Sequence, residues 1–318
     1  MDLSFNYTHD NHFKFGYFDS DMEKACWFWD PPGSEDMDWV VDFGTCEYEP
    51  TNFKDECYRA ARLITDSSDE IPNIMFSGGN ESEIVVRAFL DQELPFKISI
   101  LKFKKDLNLH DIAFAVTFCE QRSLSYDIVE LDIKHFFEHE VYEYANRTHC
   151  PSPQLPPTMW LADQIDGLPI LGSGEPYVAK VTPDGYIPGE SPYEPSEWRF
   201  REKEWIQAWY RHFFQQDRPA IPGFFQYTPE LMYMFLTDRV VHNLVANERV
   251  GKLSTVSTKG EIYRHWFTDM IPRPKFHGFE KVMEWDAVIR EVLVANYGLY
   301  RREAECEYHK FVQELWSD

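Results

Sequence analysis

Between Ile71 and Ala179 the apolar positions switch repeatedly between two rhythms. Short apolar runs, IPNIMF, FKISILKF, YDIVELDI and GLPILG, alternate with longer stretches whose apolar residues recur every three or four positions. Ile84, Val85, Ala88 and Phe89 in ESEIVVRAFLDQ show the second rhythm. The first suits buried strands and the second suits one face of a helix. DIAFAVTFCEQR predicts another helix, and a long helical stretch is predicted after the third strand. Strands spaced by helices predict right-handed βαβ units, and so an α/β fold: a mostly parallel sheet with helices on both faces. Ligands in such sheets sit beyond the carboxyl ends of the strands. SGGNES, after the first strand, and GSGEPY, after the fourth, both fall there.

The flanks read differently. FKFGYF, ACWFWD and WVVDFG read as strands separated by the turn signals Asp19-Ser20-Asp21 and Pro31-Pro32-Gly33, a small antiparallel layer within residues 1–52. Phe53, Cys57, Ala60 and Ile64 then recur at helical spacing. A loop rich in Pro, Gly and acidic residues, Thr182 to Pro195, precedes a remainder that reads as helical. Trp198, Trp205, Trp209 and Phe213 fall on one helix face, and Met232, Leu236, Val240 and Leu244 on another. The last helix is predicted from about Trp285 to Trp316, and the aromatic stripes suit core packing. The expected organisation is therefore residues 1–52, an α/β unit at 53–185, and a helical part at 186–318.

Charge narrows the partners. The 318 residues carry 31 basic and 54 acidic side chains, a formal net charge of -23, which opposes binding to nucleic acid or to anionic membrane surfaces. A site for a polyanion must then be built locally, from backbone N–H groups, metal ions and a few selected cations. The six cysteines are scattered, with no C-x-x-C pair, as expected of free thiols in a reducing cytoplasm. The N-terminus lacks a signal-peptide layout and no apolar run approaches a membrane-spanning length, so a cytoplasmic protein is expected.

The strongest chemical signal is NIMFSGGNESEIV. A strand ends, two glycines permit a tight turn and close approach of a ligand, and a helix starts at once. The Ser77 and Ser82 hydroxyls and the N–H groups of Gly78, Gly79, Asn80 and Glu81 then face one concavity suited to phosphate oxygens. His135-Phe136-Phe137-Glu138-His139 matches an H-x-x-E-H zinc pattern, but its position after a strand of this layout suits a solvated helix face better.

S-G-G-x-[DE]-S after the first strand resembles the signature of the PP-loop ATP pyrophosphatases, of the adenine nucleotide alpha hydrolase-like fold. Three further segments extend the likeness: LHDIAFAVTFCEQRSLSYDIVELD, SPQLPPTMWLADQIDGLPILGSGE and KGEIYRHWFTDMIPRPKFHGF. Across roughly residues 53–280 the chain looks like the synthetase domain of asparagine synthetases and β-lactam synthetases. The resemblance implies that ATP and Mg2+ are the cofactors, with Ser77, Gly78, Gly79, Asn80, Glu81, Ser82, Leu101, Ser173 and Gly174 around the nucleotide. The family's metal-binding aspartate falls on Glu81. Its second acidic motif matches Ser173-Gly174-Glu175 and then departs at Pro176-Tyr177-Val178, so Glu175 or Asp184 stands in for the second metal aspartate. Arg273-Pro274-Lys275, after Ile271-Pro272, matches the family's Arg-x-Lys, whose lysine meets the α-phosphate; this makes Lys275, Arg273 and Glu175 the implied catalytic residues.

The activity this implies is an ATP-dependent, AMP-forming ligase joining a small carboxylate to an amine or ammonia. Asp2 stands where glutamine-dependent relatives carry a cysteine, so nitrogen is expected from free ammonia, another amine, a group within the substrate, or a separate amine-donor protein; a homodimer is compatible. Two alternatives remain: a non-catalytic nucleotide-binding or scaffold protein on a degenerate synthetase fold, and a sulfur-transferring PP-loop enzyme. The second needs catalytic cysteines and a basic surface that the sequence lacks.

Overall fold

The computed structural model describes residues 14–19, 24–26, 39–42, 44–180, 198–201, 204–246, 255–274, 276–297 and 305–316. The elements begin with β1 (Lys14–Asp19), β2 (Lys24–Cys26), β3 (Trp39–Asp42), α1 (Phe53–Asp66), β4 (Pro72–Met75), α2 (Asn80–Asp91), β5 (Lys97–Phe103), α3 (Leu109–Gln121) and β6 (Asp127–Leu131). Next come α4 (Ile133–His139), α5 (Val141–Thr148), α6 (Pro156–Gln164), β7 (Leu168–Leu171), β8 (Tyr177–Lys180), β9 (Trp198–Arg201), α7 (Glu204–Gln215) and α8 (Pro229–Leu236). The chain continues through α9 (Arg239–Ala246), α10 (Thr255–Trp266), α11 (Met283–Tyr297), β10 (Glu305–Glu307) and α12 (Tyr308–Glu314).

The central sheet has four strands in the order β6-β5-β4-β7, all parallel, with Ile74 opposite Ile98 on one side and Ile170 on the other. Because side chains alternate across a strand, Ile74 and Ile170 enter one apolar core with Phe53, Ile84, Phe89 and Tyr263. Met75 and Leu171 enter a second core, with Phe136, Phe137, Trp209 and Phe279. Both faces are buried along β4 and β7, whereas the edge strand β6 is largely exposed, Ile128 at 44%; the fold is α/β as expected. The first core joins the α/β segment to the later helices, since the Phe53 ring lies 6.1 Å from that of Phe225 and 6.0 Å from that of Tyr263. Helix starts follow local chemistry. Asn52 accepts the Asp55 N–H at 2.9 Å ahead of α1, and Thr228 caps α8 just before Pro229.

The N-terminal layer is antiparallel, ordered β2-β1-β3, as its turn signals predicted. The remainder is less uniformly helical than expected. Trp198 lies in β9, which pairs antiparallel with β8 and β10, so the aromatic stripe continues only through α7. The helix expected over Met232 to Leu244 is two, α8 and α9, broken where the Asp238 side chain accepts the Val240 N–H at 2.8 Å. The stretch expected as a last helix is α11, β10 and α12, and the long helical stretch after β6 is α4, α5 and α6. Among the described residues no helix is long and apolar enough to cross a membrane.

Candidate functional site

From β4 the chain steps to β5 and β6 on one side of the sheet, then returns to β7 on the other. The strand order therefore reverses at β4, between β5 and β7, and open parallel sheets take their ligands in the crevice beyond the carboxyl ends at such a point. Ser77–Ser82 follows β4 and Gly172–Glu175 follows β7, so the two sequence-singled loops share that crevice.

The first loop is shaped by close approach. Gly78 has φ +88°, and a Cβ there would sit 2.9 Å from the Asp111 carbonyl oxygen, so only glycine fits comfortably. Ser77 Oγ accepts the Gly79 N–H at 3.2 Å and lies 3.0 Å from Ser82 Oγ, which in turn reaches the Gly79 carbonyl at 3.2 Å. α2 begins directly after, with Gly79 as an N-cap that offers no side chain to its donors. The N–H groups of Asn80, Glu81 and Ser82 belong to the first turn, which an α-helix leaves without intrahelical acceptors, at the positive end of its dipole. Gly172 brings β7 against this turn: a Cβ on it would lie 2.5 Å from Ser82 Cα and 2.6 Å from Ser82 N.

Arg273 fastens the loop from outside. Its guanidinium donates to the Gly78 carbonyl at 2.7 Å and to Asn80 Oδ1 at 3.0 Å, and pairs with Glu83. Glu83 also receives Arg87 Nε at 2.7 Å, and Arg87 continues to Asp269 at 2.6 Å. The three central side chains, Arg273, Glu83 and Arg87, are each no more than 6% exposed. Arg273, which the resemblance assigned to catalysis, thus spends its donors on loop backbone and on Glu83, the work of a positioning residue.

Glu81 and Glu175 face each other across the crevice and share one cation. Lys259 Nζ, from α10, lies 2.9 Å from Glu81 Oε1 and also binds Glu175 Oε1, with its side chain 12% exposed. Burial opposes the ammonium, but Glu175 and Glu81 outweigh it, raising the lysine above its ordinary range and holding it charged. One turn along α10, Tyr263 is fully buried, and its hydroxyl has no hydrogen-bond partner among the described residues. Burial, then the charges of Glu81 and Glu175, push that phenol well above its ordinary value, so it remains a donor.

No family model matches this sequence, and no curated protein is significantly similar to it.

A divalent ion is compatible with these donors. Among the described residues no three His, Cys, Asp or Glu side chains gather into a metal cage, His135 and His139 included. Magnesium in phosphate sites needs only one or two carboxylates, taking its other ligands from phosphate and water. Glu81 and Glu175 would be that pair for a bound ion, beside the Tyr263 phenol that has no hydrogen-bond partner among the described residues. Ser173 donates its hydroxyl to the Pro222 carbonyl, and Gly174, with φ +85°, packs on Gly223 and Gln226; both shape the turn that presents Glu175. Leu101 lies near the carboxyl end of β5, where its carbonyl accepts Asn108 Nδ2 at 2.9 Å. Lys275 and Asp184 lie outside the described residues. Sequence reasoning missed the roles of Gly172, Lys259 and Tyr263. In the sequence Lys259 stands out only as one of the cations Lys259, Arg264, Arg273 and Lys275 within seventeen positions of an acidic chain, and the four-residue step to Tyr263 puts both on one helix face.

Proposed function

We propose that this chain is an ATP-dependent, AMP-forming ligase of the PP-loop type, similar to the synthetase half of asparagine synthetases. The observation that carries the reading is SGGNES at the switch point of a parallel sheet, with Glu81 joined across the crevice to Glu175 through Lys259. The first-turn N–H groups of α2 and the Ser77 and Ser82 hydroxyls bind the β- and γ-phosphates. Glu81 and Glu175 would hold Mg2+, which would supply charge neutralisation on the phosphates. A substrate carboxylate oxygen attacks the α-phosphorus, the bond to the bridging oxygen breaks, and pyrophosphate leaves with that electron pair. An amine then attacks the acyl carbon, AMP departs with the C–O electrons, and the amine proton passes to solvent. Lys275 is the cation that the resemblance assigns to charge building on the α-phosphate. Arg273, two positions earlier in the chain, is bonded to the loop itself.

The sulfur-transfer alternative fits less well. Burial raises Cys57 far above its ordinary value, Cys119 to about 11 and Cys46 to about 12, the reverse of what a nucleophilic thiolate needs. The non-catalytic reading draws support from one observation, that Lys259 already satisfies both metal carboxylates. ATP–pyrophosphate exchange across a panel of small carboxylic acids separates the two. The ligase reading expects radiolabel from pyrophosphate in ATP with at least one acid, in a Mg2+-dependent manner. MgATP binding without exchange for any acid would favour the non-catalytic reading.

A further inference from the structure

The Lys259 ammonium sits where two carboxylates from opposite walls of the crevice converge, Glu81 from the first turn of α2 and Glu175 from the loop after β7. An ordinary surface ion pair spends little on such an arrangement and leaves the lysine in water. Here the lysine side chain is 12% exposed, and Glu81 and Glu175 are 26% and 14% exposed. Two partly buried carboxylates this close repel each other unless a cation lies between them, so the pair requires a positive charge at that point. Nothing in the requirement specifies an ammonium. Oxygen-only donors meeting at one point suit a hard divalent ion equally well. The Tyr263 hydroxyl, buried one turn from Lys259 and without a hydrogen-bond partner among the described residues, adds a polar atom beside the pair.

We propose that Lys259 is the resident cation of the Glu81–Glu175 pair, occupying the point a divalent ion takes, so that ammonium and metal exchange there. The exchange itself is a property of three side chains. Its use, in which entering phosphates draw the ammonium onto their own oxygens as metal takes its place, rests on the nucleotide reading given above. Charge is conserved through the exchange: the carboxylates always keep a cation, and the ammonium always keeps an anion. In protein without nucleotide the lysine therefore blocks tight metal binding, and a divalent ion enters this site only together with a polyphosphate.

Mn2+ serves as the probe, by electron paramagnetic resonance and by melting temperature, in nucleotide-free protein. The parent is expected to bind Mn2+ weakly and to melt at the same temperature with or without it. Lys259→Met removes the cation that Glu81 and Glu175 share. It should melt lower in metal-free buffer, gain one Mn2+ site at least tenfold tighter than any in the parent, and recover its melting temperature as Mn2+ is added. Glu81→Gln/Lys259→Met should lose both the new site and the recovery. If Lys259→Met folds only when Mn2+ is present and unfolds on chelation, that is the same result. The triple variant Glu81→Gln/Glu175→Gln/Lys259→Met, with no charge left to neutralise, should then fold without metal. Equal Mn2+ affinity in parent and Lys259→Met would overturn the proposal, as would a destabilised Lys259→Met that Mn2+ does not restore. Stabilisation of the parent by MgATP is a separate measurement, so failure here and failure of the nucleotide reading are distinguishable.

Discussion

Replacing Arg273 with Met tests whether this residue is a clamp. Met keeps most of the apolar stem and deletes a guanidinium that makes three polar contacts: to the Gly78 carbonyl, to Asn80 Oδ1 and to Glu83. Glu83, 4% exposed, would keep Arg87 on Oε1 at 2.7 Å and lose its partner on Oε2. Breaking a buried pair from one side costs roughly 3–5 kcal/mol, because the surviving charge is left unpaired. The retained Arg87 reduces that share, whereas the lost charged hydrogen bond to the Gly78 carbonyl adds about 1.5–3 kcal/mol. A net loss of about 3–5 kcal/mol is expected, read from urea denaturation as a fall in the midpoint at unchanged slope. A cycle with Glu83→Gln apportions it. If the stranded carboxylate dominates, the double variant recovers on the order of 1–3 kcal/mol relative to additivity. An Arg273→Met protein as stable as the parent, to within about 0.5 kcal/mol, would refute the clamp and return Arg273 to the catalytic role suggested by its motif.

Three further outcomes are expected. Gly172→Ala pushes a Cβ to 2.5 Å from Ser82 Cα, so it should destabilise by about 1–3 kcal/mol and weaken ATP binding, by denaturation and calorimetry. Burial raises Asp111 from 3.8 to about 6, with Glu280 adding to the shift. The protonated form is the one the fold prefers, so this stability is full below 3.8 and lost as pH rises through about 6; Asp111→Asn should stabilise by at most roughly 3 kcal/mol at pH 7.5 and by nothing near pH 3.5. His212 is fully buried, with Arg147 donating to its Nδ1 at 3.2 Å, so the neutral ring donates Nε2–H to Asp163 at 2.9 Å. Burial lowers its proton affinity despite Asp163, so stability present above the ordinary histidine value is lost as pH falls below it. His212→Asn should flatten the stability curve between pH 7 and 5, removing up to about 1.4 kcal/mol per pH unit of slope.

Local periodicity made the Ser77–Ser82 loop legible. The change from IPNIMF to ESEIVVRAFLDQ marks a strand, a turn and a helix within a few residues, and β4 and α2 follow it closely. The same logic misread Trp198, whose spacing to Trp205, Trp209 and Phe213 suits a helix. β9 is held by pairing with β10 about a hundred residues on, which no local pattern reports. The same limit hid the Lys259 contact, which joins residues 178 and 84 positions apart, 259 − 81 and 259 − 175. Glu175 was found because its turn carries the motif, while the work of Gly172, the first residue of GSGEPY, depends on how closely β7 meets α2, a contact between distant segments. The helical remainder misled in a third way. Its apolar periodicity runs on through Asp238, where a side chain-to-backbone bond starts a new helix instead.

The central claim is that the Ser77–Ser82 loop at the β4–β7 switch point grips the polyphosphate of ATP. Titration of the nucleotide-free parent with MgATP and with adenosine, by calorimetry and melting temperature at one salt concentration, tests it most directly. The account predicts one MgATP site per chain and far weaker binding of adenosine, since the loop binds phosphate rather than base. At a ligand concentration 100 times Kd the native state gains about 2.7 kcal/mol, a rise in melting temperature on the order of 5 °C for a chain of this size. No heat and no shift at millimolar MgATP would contradict it, and so would equal affinity for ATP and adenosine.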